Sequence, residues 1–141
     1  MPADGDAEPE RITWNGGYVA HESADGKWLY YSKLRESSGF WRIALPARGR
    51  GQPERPITLN VPMKAAATWA LGARELFYYP PLNGRAVPFP PVRAVDVETG
   101  LARELPVGNT ALGRGLALSP DGHWLLRTQN DRVQTLVMIA E

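Results

Sequence analysis

The sequence contains no cysteine, so neither a disulfide bond nor a thiolate metal site can form. It has only two histidines, His21 and His123, which both stand beside a repeated turn motif. A metal site needs three or four converging ligands, so we expect no metal. Neither sign of charge is in excess, because 16 Lys and Arg face 15 Asp and Glu. We therefore expect neither nucleic acid nor a membrane surface as a partner.

Long apolar runs are also missing. The longest apolar-leaning stretch, residues 65–73, is far shorter than the roughly 20 residues that span a bilayer. The acidic start of the chain lacks the apolar core of a signal peptide, which leaves the compartment open between cytoplasm and periplasm. No helical apolar periodicity is sustained along the chain.

What the sequence does contain is frequent turn residues, 14 Gly and 13 Pro. Between them lie short segments rich in aromatic and β-branched residues, such as WLYYSK, FWRIAL and RPITL. Short strands between regular turn signals indicate an all-β protein.

A repeat indicates which all-β fold this is. The motif Ser-x-Asp-Gly, then a polar residue, then Trp-Leu, occurs at residues 23–29 and again at residues 119–125, which is 96 residues later. A weaker copy, ALGARELFYYP at residues 70–80, lies halfway between them. A period of about 48 residues made of four short strands is typical of a β-propeller blade.

We therefore predict an all-β fold, a β-propeller fragment of about three four-stranded antiparallel blades. Blade 1 is expected over residues 14–60, blade 2 over 61–108, and blade 3, without its fourth strand, over 109–141. Residues 1–13 are expected to form the outer strand of a preceding or closing blade. The predicted strands are 18–22, 28–33, 40–45, 55–59, 64–71, 75–80, 92–97, 101–107, 114–119, 124–129 and 134–140.

The repeated motif predicts a structural turn at Asp25, Gly26, Asp121 and Gly122. Asp accepts hydrogen bonds from nearby backbone amides, and Gly supplies the positive φ of a tight reversal. A catalytic role would need a nucleophile and a base facing each other, and side chains adjacent on one turn do not meet that need. We assign no catalytic, cofactor-binding or metal-binding residue.

Five aromatic residues form the most conspicuous apolar cluster, Trp28, Tyr30, Tyr31, Phe40 and Trp41. Alternating positions on adjacent strands should put roughly half of them inward, so we expect them to serve as core packing between blades. The alternative is a surface recognition patch, since Tyr and Trp are also favoured at interfaces.

The residues Ser119-Pro120-Asp121-Gly122, with Ser23-Ala24-Asp25-Gly26 and the strands after them, resemble the TolB-like, or WD-repeat-like, β-propeller repeat of bacteria. The first copy departs from the pattern by Ala24 in place of Pro. The resemblance covers nearly the whole chain and implies the C-terminal part of a propeller. It also implies a ring latched by an N-terminal strand. The last segment resembles the closing blade of propellers joined to winged-helix regulators and to serine/threonine kinases.

The predicted number of about three blades is low, since propellers typically close with four to eight blades. Three arrangements satisfy this count: a fragment completed by further blades, an assembly with a second copy of the chain, or an open three-blade domain. Partners of the first two kinds are expected to cover the end sheets.

The predicted function is a non-catalytic binding or scaffold module without a cofactor, which mediates interaction with a protein or small ligand. The resemblance implies a larger bacterial regulator or sensor as its context. The alternative is the gating propeller of a prolyl-oligopeptidase-like serine hydrolase whose catalytic domain is encoded outside these residues.

Overall fold

The computed structural model describes residues 10–34, 38–46, 51–61, 68–80, 91–106, 112–130 and 135–140. For residues 112–114, 129–130 and 135–140 only the backbone is described. Eleven strands lie in this part of the chain: β1 (Ala20–Glu22), β2 (Trp28–Lys33), β3 (Gly39–Ala44), β4 (Arg55–Leu59), β5 (Trp69–Leu71), β6 (Glu75–Tyr78), β7 (Val92–Asp96), β8 (Ala102–Leu105), β9 (Leu112–Leu118), β10 (Leu125–Asn130) and β11 (Thr135–Ala140). Among these residues no helix is long and apolar enough to cross a membrane.

The strands form three antiparallel sheets in which chain neighbours pair. Sheet 1 has the order β1-β2-β3-β4, sheet 2 the order β5-β6-β7-β8, and sheet 3 the order β11-β10-β9. This succession of small antiparallel sheets confirms the all-β propeller fragment. The second and fourth strands of sheet 1 have the predicted bounds, whereas β5 begins later than predicted, and residues 62–67 before it lie outside the described part.

Alternation along each strand gives every sheet two distinct faces. In sheet 2, Leu76 and Tyr78 pack toward sheet 1, whereas Phe77 packs toward sheet 3. We call the face toward the preceding sheet the rear face and the face toward the following sheet the forward face. Sheet 2 therefore buries apolar side chains on both faces.

The core between sheets 1 and 2 is centred on Phe40, which is fully buried. Its ring centroid lies 5.1 Å from those of both Trp69 and Tyr78, in tilted and edge-on arrangements. The other buried members of this cluster are Tyr30, Val61, Leu76, Val95 and Val97. These aromatic contacts join the third strand of sheet 1 to the first two strands of sheet 2.

Sheets 2 and 3 approach each other most closely at their first strands, β5 and β9. Leu116, Leu118 and Leu125 of sheet 3 pack on Phe77 and its neighbours. A Cβ atom on Gly72 would lie 2.9 Å from Cδ2 of Leu118, so a larger residue would require the Leu118 side chain to move. Glycine at position 72 thus allows this close approach.

The rear face of sheet 1 has no preceding sheet among the described residues. Instead, residues 10–17, which we call the N-terminal strap, run across it. Ile12 packs against Tyr31 and Ile43, and both of these are 1% exposed. The outer strand predicted over residues 1–13 falls mostly on residues 1–9, outside the described part, and residues 10–13 form no strand.

Candidate functional site

The two Ser-x-Asp-Gly motifs form the same hydrogen-bonded turn. The amide of Trp28 donates to Oγ of Ser23 at 3.0 Å, and the amide of Trp124 donates to Oγ of Ser119 at 2.9 Å. Each serine hydroxyl donates in turn to the aspartate carboxylate two residues later. The serine therefore connects the end of the turn to its acidic residue.

The residues predicted to shape these turns lie at their bends. Gly26 has a φ of 69° and Gly122 a φ of 75°, in the left-handed region that favours glycine. The serine hydrogen bond, followed by a backbone amide, lowers the pKa of both Asp25 and Asp121. These carboxylates are exposed and stay ionised in their structural role.

The repeat extends from the turns into the strands. The amide of Val19 donates to Oγ of Ser32 at 3.2 Å, and the amide of Gly115, 96 residues later, donates to Oγ1 of Thr128 at 2.7 Å. The middle copy has a shorter turn, because three residues separate β5 from β6 whereas five separate β1 from β2. A turn of that length has no room for the motif.

Replacing Ala24 with proline is expected to stabilise the protein by about 0.4–1 kcal/mol, because proline restricts the unfolded chain. Pro120 occupies the same position of the matching turn, so the geometry admits it. Thermal unfolding measures the effect. Lys27→Pro is the matched control and should destabilise, since it removes the amide that donates to Asp25. A lower melting temperature for Ala24→Pro would contradict the equivalence of the turns.

The two histidines lie in different environments, although both stand near a turn. His21 is on the forward face of sheet 1, where its ring meets that of Trp69 edge-on at 4.4 Å. His123 is exposed on the turn of sheet 3. Their repeat counterparts are Ala117 and Lys27, so they are not equivalent positions. Among the described residues no group of three or more metal-ligating side chains converges.

Burial lowers the pKa of His21 from its ordinary value of 6.5. The folded protein therefore binds this proton less tightly than the unfolded chain, and stability should fall as the pH decreases through 6.5. Urea unfolding at pH 8 and pH 5.5 measures the loss. His21→Phe should reduce it. An equal loss in wild type and His21→Phe would assign the effect to another group.

Arg42 joins sheets 1 and 2 at the outer side of their interface. Its guanidinium binds both carboxylate oxygens of Glu98, on the turn after β7, with Nη2 to Oε2 at 3.0 Å. It also lies 4.6 Å from the ring centroid of Trp28. The hydrogen bond from Arg42 lowers the pKa of Glu98. This bidentate pair connects β3 of sheet 1 to the turn after β7 of sheet 2.

A second ion pair is buried on the rear face of sheet 1. Nζ of Lys33 lies 2.6 Å from Oε2 of Glu54 and 4.1 Å from the ring centroid of Trp41. The side chains of Lys33 and Glu54 are only 4% and 12% exposed. Asn15 of the strap donates to the same Glu54 oxygen at 3.3 Å. The pair therefore connects the strap, sheet 1 and the segment before β4.

Beside the strap, the described residues leave the inner part of this rear face open. A groove of about 370 Å³ runs between the strap and the first two strands. Its lining residues are Glu10, Arg11, Ile12, Thr13, Gly17, Tyr18, Ala20, Leu29 and Tyr31. It is mainly apolar at its base, with the charged pair at positions 10 and 11 on one wall.

Successive antiparallel sheets, matched turns and apolar inter-sheet cores define an arc of a β-propeller. Solved TolB structures share this fold. TolB from Acinetobacter baumannii superposes with a TM-score of 0.69 over 97% of this chain, at 13% identity. A putative TolB from Agrobacterium tumefaciens gives a TM-score of 0.68 over 97%, at 19% identity. The chain is thus a TolB-like propeller fragment in fold.

The similarity extends over only part of each TolB chain. The chain spans 33% of the Acinetobacter protein and 48% of the Agrobacterium protein. No known family profile and no curated protein matches the sequence. The likeness therefore concerns the fold of this arc.

Proposed function

We propose that this chain is a non-catalytic binding or scaffold module that holds a protein or small ligand on its turns and on the sheet faces that no described sheet covers. The observation that carries the proposal is that the three sheets differ in how many neighbouring sheets pack against them. Sheet 2 packs against another sheet on both faces, whereas sheets 1 and 3 each have one sheet neighbour among the described residues. A sheet face left without a neighbour is suited to protein binding.

The polar side chains of the repeated turns and of the buried ion pairs support a structural rather than a catalytic role. The serines and aspartates of both repeated turns are hydrogen-bonded within those turns. The buried cations Lys33 and Arg42 are held in ion pairs with Glu54 and Glu98. These groups maintain the positions of the strands and turns that would carry a ligand.

The arc fits a ring that is completed by further blades or by a second copy of the chain. The TolB chains that share its fold are two to three times longer, which supports completion by other blades. In a larger bacterial regulator or sensor, the completed propeller would be the sensing or scaffolding part.

A peptide-display selection on the immobilised protein tests the proposal. It should yield ligands whose hydrogen-exchange footprint lies on the strand-end turns or on the rear face of sheet 1 or forward face of sheet 3. The purified protein should not hydrolyse ester or peptide substrates. A selection without binders, or hydrolysis that is lost in Ser119→Ala, would contradict a non-catalytic binding role.

A further inference from the structure

Asn15 lies in an exposed part of the N-terminal strap, directly before two glycines. Both Asn15 and Gly16 are exposed, and Gly17 follows them. A Cβ atom on Gly16 would have no heavy atom of another described residue within 4 Å beyond its chain neighbours. Gly16 also has a φ of 89°, a conformation that glycine adopts far more readily than other residues. The backbone after Asn15 therefore has room to change its conformation.

The amide nitrogen of Gly16 is accessible as a nucleophile. It donates no backbone hydrogen bond to another described residue. In an Asn-Gly sequence this nitrogen can attack Cγ of the asparagine, because no side chain on the following residue blocks the approach. Asn60 is a contrasting case, since its own amide donates to the carbonyl oxygen of Ser38 at 2.8 Å and the buried, β-branched Val61 follows it. Asn15, unlike Asn60, thus combines an accessible side chain with an accessible nucleophile.

The side chain of Asn15 also connects the strap to the buried ion pair of sheet 1. Its Nδ2 donates to Oε2 of Glu54 at 3.3 Å, a long hydrogen bond that restrains the amide only weakly. The same carboxylate oxygen lies 2.6 Å from Nζ of Lys33. A negative charge at position 15 would therefore face the carboxylate of Glu54 at close range, and like charges at that separation repel each other.

We propose that Asn15 is a site of spontaneous deamidation whose product releases the strap from Glu54. The backbone nitrogen of Gly16 loses its proton and bonds to Cγ of Asn15. The bond from Cγ to Nδ2 then breaks, and Nδ2 takes up a proton and leaves as ammonia. Water opens the resulting succinimide ring. Opening at Cγ gives aspartate at position 15, whereas opening at the backbone carbonyl gives isoaspartate, which lengthens the backbone by a carbon atom. Water is the only co-reactant.

Either product replaces an amide donor with a carboxylate. The hydrogen bond from residue 15 to Glu54 is lost, and the two carboxylates repel each other. The strap then keeps its apolar contact, in which Ile12 packs against Tyr31 and Ile43, but loses its attachment near the ion pair. This inference goes beyond the proposed binding role, because it concerns the chemistry of the strap itself.

Tryptic peptide mapping of the purified protein, incubated at neutral and at mildly alkaline pH, tests the chemistry. The peptide of residues 12–27 contains Asn15 as its only asparagine. Over days, tandem mass spectrometry should show an acid in place of the amide at position 15, in two chromatographic forms. The rate should rise with pH, since the nitrogen of Gly16 must lose its proton, and Asn60 should remain an amide.

Asn15→Gln is the matched control for this chemistry. It keeps an amide donor but would have to close a larger ring, so its amide should persist under the same conditions. A synthetic peptide of residues 12–27 shows how fast the sequence reacts without the fold. A folded protein that keeps its amide while the peptide loses it would overturn the proposal, because the fold would then protect Asn15. A peptide that does not react would overturn it as well.

Hydrogen exchange of the Asn15→Asp variant tests the release of the strap. The amide of Tyr18, directly after the strap, donates to the carbonyl oxygen of Ser32 at 2.9 Å. Its exchange should become faster by on the order of 10-fold, the size expected for the loss of a hydrogen bond to a charged group. In a Glu54→Gln background the same substitution should give no such increase, because a glutamine amide can donate to the new carboxylate.

Two results would overturn the release of the strap, provided that circular dichroism shows folded variants. One is exchange at Tyr18 that is equal in Asn15→Asp and in the wild type. The other is an equal increase with and without Glu54→Gln, which would assign the effect to something other than repulsion by Glu54. If Glu54→Gln does not fold, the comparison of Asn15→Asp with the wild type still decides whether the strap is released.

Discussion

Replacing Phe40 with alanine is expected to lower the free energy of unfolding by about 3–5 kcal/mol, the usual cost of removing a buried aromatic ring. Phe40 is 0% exposed, and its ring contacts both Trp69 and Tyr78 across the interface of sheets 1 and 2. The substitution leaves a cavity that these rigid rings cannot fill. Urea unfolding followed by tryptophan fluorescence and by circular dichroism measures the loss.

Leu101→Ala is the control for this prediction. Leu101 is 74% exposed, so its truncation should change the free energy of unfolding by about 0.5 kcal/mol or less. Equal effects of Phe40→Ala and Leu101→Ala would show that the two sheets are not joined through Phe40.

Glu54→Ala is expected to cost about 3–5 kcal/mol, because it leaves the charge of Lys33 buried without a partner. The side chain of Lys33 is 4% exposed and its ammonium group lies 4.1 Å from the ring centroid of Trp41, so solvent cannot readily replace the lost carboxylate. Replacing both residues, Lys33→Met with Glu54→Leu, should recover most of this loss, since no uncompensated charge remains. A double variant as unstable as Glu54→Ala would show that the cost comes from packing instead.

The same ion pair should make the free energy of unfolding depend on pH in the acidic range. Burial raises the pKa of Glu54, but hydrogen bonds from Lys33 and its neighbours outweigh burial, so this pKa lies below the ordinary value of 4.5. The stabilisation is therefore present above pH 4.5 and is lost as the pH falls through the lower pKa of the folded state. Glu54→Gln should flatten this part of the unfolding profile.

The sequence carries enough information for the arrangement of strands into sheets. Turn residues at regular spacing bound the short apolar segments, and β2 and β4 begin and end where the pattern predicts. The offset between Ser23 and Ser119 also predicts equivalent side-chain environments, as the matched hydrogen bonds of Ser32 and Thr128 illustrate. Local turn chemistry and strand alternation suffice for these features.

Contacts between distant segments could not be predicted in the same way. Lys33 and Glu54 are 21 residues apart, and nothing in the surrounding sequence distinguishes them from exposed charges. The proximity of His21 and Trp69 depends on how two sheets face each other. The packing of Ile12 on Tyr31 depends on the path of the strap across a sheet face. Each follows from tertiary geometry that a strand pattern does not encode.

The shortened turn between β5 and β6 has a consequence for how such chains diverge. It is two residues shorter than the turn between β1 and β2, yet Phe77 and Tyr30 point the same way. Losing a single residue would turn one strand of the hairpin inside out and expose its apolar side chains. Insertions and deletions in these hairpins should therefore be tolerated mainly when they change the turn by two residues. Related chains can then lose the turn motif and still keep the same inward and outward alternation of side chains along their strands.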